Sequence, residues 1–186
     1  MAILAESLVE EWKNRDRFFT IRGVKHGVSE MDILGIRRQV DGKVIGVHYE
    51  VQVSFRPIGY ICQLTDGLAK PDNLKRTSAR RRTEQEIAQC VDAWIEKKFL
   101  AKKKAIARDN IWPGLCWRFF FVHGVVKEEK ELDLIRSRNI NVIPFNQVLL
   151  ELCHTGARAF SGSAGGDLAE IVGYYRDNFP LDDKYQ

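Results

Sequence analysis

Asp32 and the trio Glu50-x-Gln52-x-Ser54 are the residues of this chain whose types and spacing could do chemistry. They lie in two neighbouring stretches, 29–37 (SEMDILGIR) and 44–55 (VIGVHYEVQVSF), that both read as strands. Side chains alternate along a strand, so Val47, Tyr49, Val51, Val53 and Phe55 share one face, and His48, Glu50, Gln52 and Ser54 share the other. If the two strands pair, a carboxylate from each converges on one point. Oxygen donors arranged in this way are what a hard divalent cation such as Mg²⁺ takes as ligands.

The elements that must hold these residues follow from periodicity and punctuation. Residues 2–15 predict an amphipathic helix with Leu4, Ala5, Leu8, Val9 and Trp12 as its apolar stripe and Glu6 and Glu11 at the edges. A first strand covers 18–25 and turns at Gly27 into the Asp32 strand. Asp41-Gly42 is a hairpin signal leading into the Glu50 strand, which ends before Pro57. Segment 56–83 is irregular and basic, punctuated by Gly59, Gly67 and Pro71. Thr83 with Glu84 and Glu86 predicts the cap of one long helix running to about residue 107, with Ile87, Val91, Trp94 and Ile95 on its inner face. A strand over 116–126, a charged helix over 127–138, a strand over 141–144 and a helix over 145–153 come next. A Gly/Ser loop over 155–166 and a last helix to about residue 179 complete the chain. A meander followed by alternating helices and strands predicts one α/β domain over 1–186, with a mixed sheet sandwiched between helices.

Composition sets the broad class. A chain of 186 residues with 45% hydrophobic and 29% charged residues has enough apolar material for one core and is not a disordered polyelectrolyte. No apolar run is long enough to span a bilayer, and the N-terminus lacks a secretory pattern, so a cytoplasmic location is expected. Cys62, Cys90, Cys116 and Cys153 show no paired spacing and read as buried, reduced thiols. The net charge of +4 is unevenly spread: segment 70–82 carries +5 and segment 97–108 carries +6, leaving −7 on the rest. Two concentrated basic segments on a mildly acidic body suit a polyanion, most simply nucleic acid.

The order of elements, with Glu30-Met31-Asp32-Ile33-Leu34 and Glu50-Val51-Gln52 at the two acidic positions, resembles the restriction-endonuclease-like or PD-(D/E)XK nuclease superfamily. Asn141-Val-Ile-Pro-Phe145 and the helix after it resemble the archaeal Holliday junction resolvase-like branch. The resemblance implies a three-layer α/β/α restriction-endonuclease-like fold with a central mixed sheet, and a metal-dependent endonuclease hydrolysing phosphodiester bonds in DNA. It implies Mg²⁺ or Mn²⁺ held by Asp32 and Glu50, with the Val51 backbone carbonyl as a further ligand. Glu6 best fits an additional ligand from the first helix, and Glu10 is the second choice. The superfamily usually carries lysine where this chain has Gln52. Glutamine can orient the attacking water but brings no charge, which leaves room for a cation from elsewhere.

Arg56, Lys75, Arg76, Arg80, Arg81 and Arg82 are the expected nucleic-acid contacts, since basic side chains placed near the site strand can meet phosphates. DNA is the expected partner, with RNA left open, and cutting of both strands would suit a homodimer. The alternative is a catalytically degenerate protein of this fold that binds nucleic acid or a protein partner without cleaving it. His48 is expected to be structural before catalytic. Ser54 has no adjacent base and is not a nucleophile, and the Gly/Ser loop lacks the Gly-Lys-Ser/Thr of a phosphate loop.

Overall fold

Two tight turns make the first half of the sheet a meander. Gly27 (φ 61°) follows β1 (Phe19–His26), and Gly42 (φ 83°) precedes β3 (Val44–Gln52), with β2 (Ser29–Arg38) between them. Both glycines take the left-handed backbone that side chains disfavour. The computed structural model describes residues 2–27, 29–54, 56–154 and, within 166–174, all but 169 and 172. Before the meander comes α1 (Ala2–Arg15). After it come α2 (Asp66–Ala69), α3 (Glu84–Ile95), a π-helical turn (Glu96–Leu100) and α4 (Lys102–Ile111). Then follow β4 (Trp117–His123), α5 (Glu129–Ser137), β5 (Ile140–Pro144) and α6 (Phe145–His154). The described residues of 166–174 are helical. Phe55, residues 155–165 of the expected Gly/Ser loop and the expected end of the last helix lie outside the described residues, as does the side chain of Cys153.

The five strands stand side by side in sequence order. β1, β2 and β3 pair antiparallel, whereas β3–β4 and β4–β5 pair parallel, each parallel step being made through intervening helix. Alternation then sorts two cores. On one face Val47, Tyr49, Val51 and Val122 pack beneath α1 (Ala5, Leu8, Val9, Trp12) and α6 (Phe145, Val148, Leu152). On the other, Phe119, Phe121 and Ile140 pack beneath α3, Phe99 of the π turn, and Leu132 and Ile135 of α5. Ala107 of α4 meets Met31 and Leu34. The molecule is therefore α/β, with an open mixed sheet covered by helices on both faces.

Several local expectations change. The stretch from 84 to 107 is not one helix: α3 starts on a full Thr83–Glu86 capping box, then widens into the π turn and breaks at Ala101 (φ −47°, ψ 130°) before α4. Leu4 is exposed, and Glu11 is fully buried, accepting from Arg15 Nε at 2.7 Å. Cys62 and Cys90 are buried, but Cys116 is exposed. Segment 56–83 carries one short helix, α2, and is otherwise irregular, yet Ile61, Cys62, Leu64 and Ala69 belong to the core beneath α3. It is held there by Glu131 of α5, which accepts from Ile61 N–H at 2.5 Å and Cys62 N–H at 3.1 Å.

Candidate active site

β2 and β3 pair with Ile33 opposite Tyr49. That is the last pair of the register; just beyond it Asp32 lies close enough to Glu50 for the Glu50 charge to be felt. Beyond the last ladder pair the Val51 N–H has no partner on the β2 backbone, and the Asp32 carboxylate takes it: Oδ2 accepts this bond at 2.7 Å. Burial, and after it the neighbouring Glu50 charge, push the Asp32 carboxyl up to about 7.

Glu50 itself is 1% exposed. Burial alone would raise its carboxyl, but the His48 hydrogen bond and the ammoniums of Lys98 and Lys104 prevail and hold it down at about 2. Lys98 Nζ donates to Oε2 at 2.7 Å, and Lys104 Nζ to Oε1 at 2.5 Å. His48 Nε2 lies 3.1 Å from Oε1, and Arg108 Nη1 lies 3.2 Å from His48 Nδ1. A guanidinium only donates, so Nδ1 must be the acceptor and Nε2 must carry the proton given to Glu50. Burial lowers His48 to about 4, in keeping with this neutral tautomer. Burial lowers both lysines; for Lys98 the charges of Glu50, Asp32 and Glu6 prevail and shift it up, whereas Lys104 shifts down because the Lys98 ammonium opposes its pull toward Glu50.

The broken helix explains how two lysines reach one acid. In a continuous α-helix, residues six apart are rotated by about 240° and project from different faces. The π turn and the break at Ala101, closed by Ala101 N–H donating to Glu96 O at 2.7 Å, re-phase the chain so that Lys98 and Lys104 converge. π-helical turns inside helices are frequent at functional sites. Nothing in the helical periodicity of the sequence marks Lys98, Lys104 and Arg108 as a set. The one pointer is the missing lysine at position 52.

Other expected site residues divide. Glu6, half-buried on α1, is close enough for its charge to be felt by Asp32; burial raises its own carboxyl, with Glu30 and Glu50 adding to this. Glu10 faces Arg22 instead, at 3.5 Å. Gln52 turns toward the 56–83 segment, Nε2 donating to Ile61 O at 3.3 Å. Ser54 Oγ closes a local turn with Arg56 O at 2.7 Å, which accounts for its hydroxyl.

The basic segments are less uniformly outward than their charge suggests. Lys98, Lys104 and Arg108 point inward, while Lys97, Lys102 and Lys103 are exposed. Arg56, Lys75 and Arg81 are exposed. Arg76 reaches Leu64 O and Asp66, and Arg80 forms a two-pronged pair with Glu86, the shorter contact being 2.6 Å. Arg82 is withdrawn from any surface role: it is buried, donates to Cys62 O at 2.7 Å and stacks over Tyr60.

The donors suit a hard cation in kind. Asp32 keeps Oδ1 without a hydrogen bond from the described residues. A carboxylate offers about four lone-pair sites, of which Glu50 uses three. Among the described residues no group of three or more His, Cys, Asp or Glu side chains is set to hold a metal. A cation here would rest on two carboxylates, backbone oxygen and water, the arrangement Mg²⁺ ordinarily accepts. Also among the described residues, no helix is long and apolar enough to cross a membrane. No family model matches this chain, and no curated protein matches it.

Proposed function

We propose that this protein is a metal-dependent endonuclease of the restriction-endonuclease-like, PD-(D/E)XK type, hydrolysing phosphodiester bonds in DNA. One observation carries the reading. Just past the β2–β3 pairing Asp32 and Glu50 lie near enough to feel one another's charge, and the Lys98 ammonium lies against Glu50. That lysine returns, from a helix, the charge that Gln52 does not supply. Asp32 Oδ1, Glu50 Oε2 and the Val51 carbonyl are the oxygens that would hold Mg²⁺ or Mn²⁺, with Glu6 at the margin. Such an ion lowers the pKa of a bound water and offsets charge on the scissile phosphate.

The protein's own groups divide the remaining work. Lys104 and the Arg108–His48 relay fix the Glu50 carboxylate, so its orientation does not depend on the ligand. Lys98, on the partly exposed side of Glu50, is the cation that can follow a phosphate oxygen. Gln52 borders the approach of water. Exposed Arg56, Lys75, Arg81, Lys97, Lys102 and Lys103 supply the non-specific attraction. Cutting both strands would take two copies of the chain.

The test is nicking of supercoiled plasmid by the purified protein with Mg²⁺ or Mn²⁺. Asp32→Asn should lose at least about 10²-fold of the rate, and equal nicking by this variant would assign the activity to a contaminant. A second reading has its own support. Glu50 is already compensated by two ammonium groups, so a nucleic-acid binder that does not cut needs no cation at this place. Salt-sensitive DNA binding with no nicking under any divalent ion would select it.

A further inference from the structure

A cleft of about 140 Å³ opens beside the acidic pair, between segment 61–76 and α3. Gln52 and Lys98, the two residues that border the proposed site, line it together with Gln63, Arg76, Trp94 and Lys97. Three of its lining residues are cationic and none is acidic; Lys98 and Arg76 are each paired with a carboxylate outside the lining, which leaves Lys97 as the cation there without an ion pair among the described residues. Trp94, with Ala93 and Cys90, gives it an apolar wall. Two primary amides enter it, and each amide carries both donors and an acceptor. Gln52 is partly committed to Ile61 O, whereas the exposed Gln63 side chain has no hydrogen bond among the described residues. The volume is well below the roughly 300–1,000 Å³ of sites that enclose whole cofactors. A single planar heterocycle suits it, and a base pair does not.

From this we infer that the cleft receives one unstacked nucleotide base, with the adjoining phosphate at Lys98. The substrate is then single-stranded or locally unpaired nucleic acid, not intact duplex. This rests on the proposed nuclease site for the position of the phosphate, but binding of the base does not require cleavage. Enzymes that extrude a base pack it on aromatic or apolar side chains and read its edge by hydrogen bonds, roles that Trp94 and the two glutamines can fill here.

The experiment is fluorescence anisotropy of the full chain at low salt with EDTA, using three oligonucleotides of equal length. They are a single strand, its duplex, and a single strand of abasic sites with the same phosphate charge. The intact single strand should bind about tenfold more tightly than the abasic strand, the scale expected of one stacked base, and more tightly than the duplex. Gln63→Ala, at an exposed position, should weaken single-strand binding several-fold and leave abasic binding unchanged. Equal affinity for intact and abasic strands, equal or tighter duplex binding, or no effect of Gln63→Ala would overturn the proposal. A plasmid-nicking protein that shows no preference for bases loses only the cleft. A protein that prefers bases but never nicks loses only the catalytic reading.

Discussion

Glu50 is the residue on which the site turns, because it is a fully buried carboxylate whose charged partners are supplied by later parts of the chain. Lys98 and Lys104 flank it, but their roles differ with their exposure, and substitution should separate them. Lys98→Ala is expected to lower nicking about 10²-fold, the usual cost of removing one preorganised charge at a reacting phosphate. Gln52→Lys in the Lys98→Ala protein should restore part of the loss by returning an ammonium from the strand. Initial nicking rates of the single and double variants check this. Asp32 has a pH signature. Its carboxyl ionises near 3.8 when unfolded and near 7 when folded, so the folded protein holds an extra proton between these values. The stability it contributes is full below about 4, declines as pH rises toward 7, and is flat above. His48, lowered from 6.5 to about 4, works the opposite way over part of this range. The difference between wild type and Asp32→Asn isolates the aspartate. In EDTA, the urea midpoint of wild type relative to the variant should fall from pH 5 to pH 8, and a constant difference would show that Asp32 does not titrate there.

At the scale of elements, the decisive feature is the interruption between α3 and α4, which no proline or glycine causes. Phe99, Lys98 and Lys104 all have inward tasks, and only a widened turn lets them share one side. The 56–83 segment is fastened in a comparable way. Glu131 is fully buried, and its two oxygens hold the Ile61 and Cys62 N–H groups, with Arg82 at 3.9 Å. Glu131→Ala strands two amide donors and a buried guanidinium, and should cost about 3–5 kcal/mol of stability. Chemical denaturation measures the cost, and limited proteolysis should show new cleavage within 56–83. Gly124 is a second fastening: a Cβ there would lie 2.3 Å from Ser54 O and 2.6 Å from Ser54 N, both backbone atoms. Gly124→Ala must push the backbone at Ser54, just past β3, away from position 124.

For the whole molecule, the two basic segments do different things. Roughly half of the 97–108 charge is turned inward on Glu50 and His48, and what remains for solvent is Lys97, Lys102 and Lys103. In the other segment Arg82 is buried, Arg80 is paired with Glu86, and Arg76 and Lys70 reach Asp66, which leaves Lys75 and Arg81 as its exposed cations without an ion pair among the described residues. Replacing Lys97, Lys102 and Lys103 by Gln should weaken DNA binding evenly across sequences. It should also reduce the slope of log affinity against log salt by about one for each phosphate left without its lysine. Arg82→Gln should leave the salt slope alone and lower stability instead. Affinity measured across a salt series, alongside melting, distinguishes the two.

The sequence by itself settled most of the element order, the pairing of the first three strands, the capped start of α3 and the shared face of His48, Glu50 and Gln52. These are local matters, fixed by turn glycines, caps and the two-residue alternation of strands. It also put Asp32 and Glu50 forward as a pair, since a short hairpin leaves little choice of register. What surrounds that pair was decided only by the tertiary structure. Lys104 and Arg108 look like solvated helix charge until the chain closes, and Arg82 looks like a surface cation until Glu131 and Cys62 enclose it. A buried charge must find its partners wherever the fold brings them, and those partners lie from 20 to 60 residues away along the chain. Periodicity has no reach over such distances.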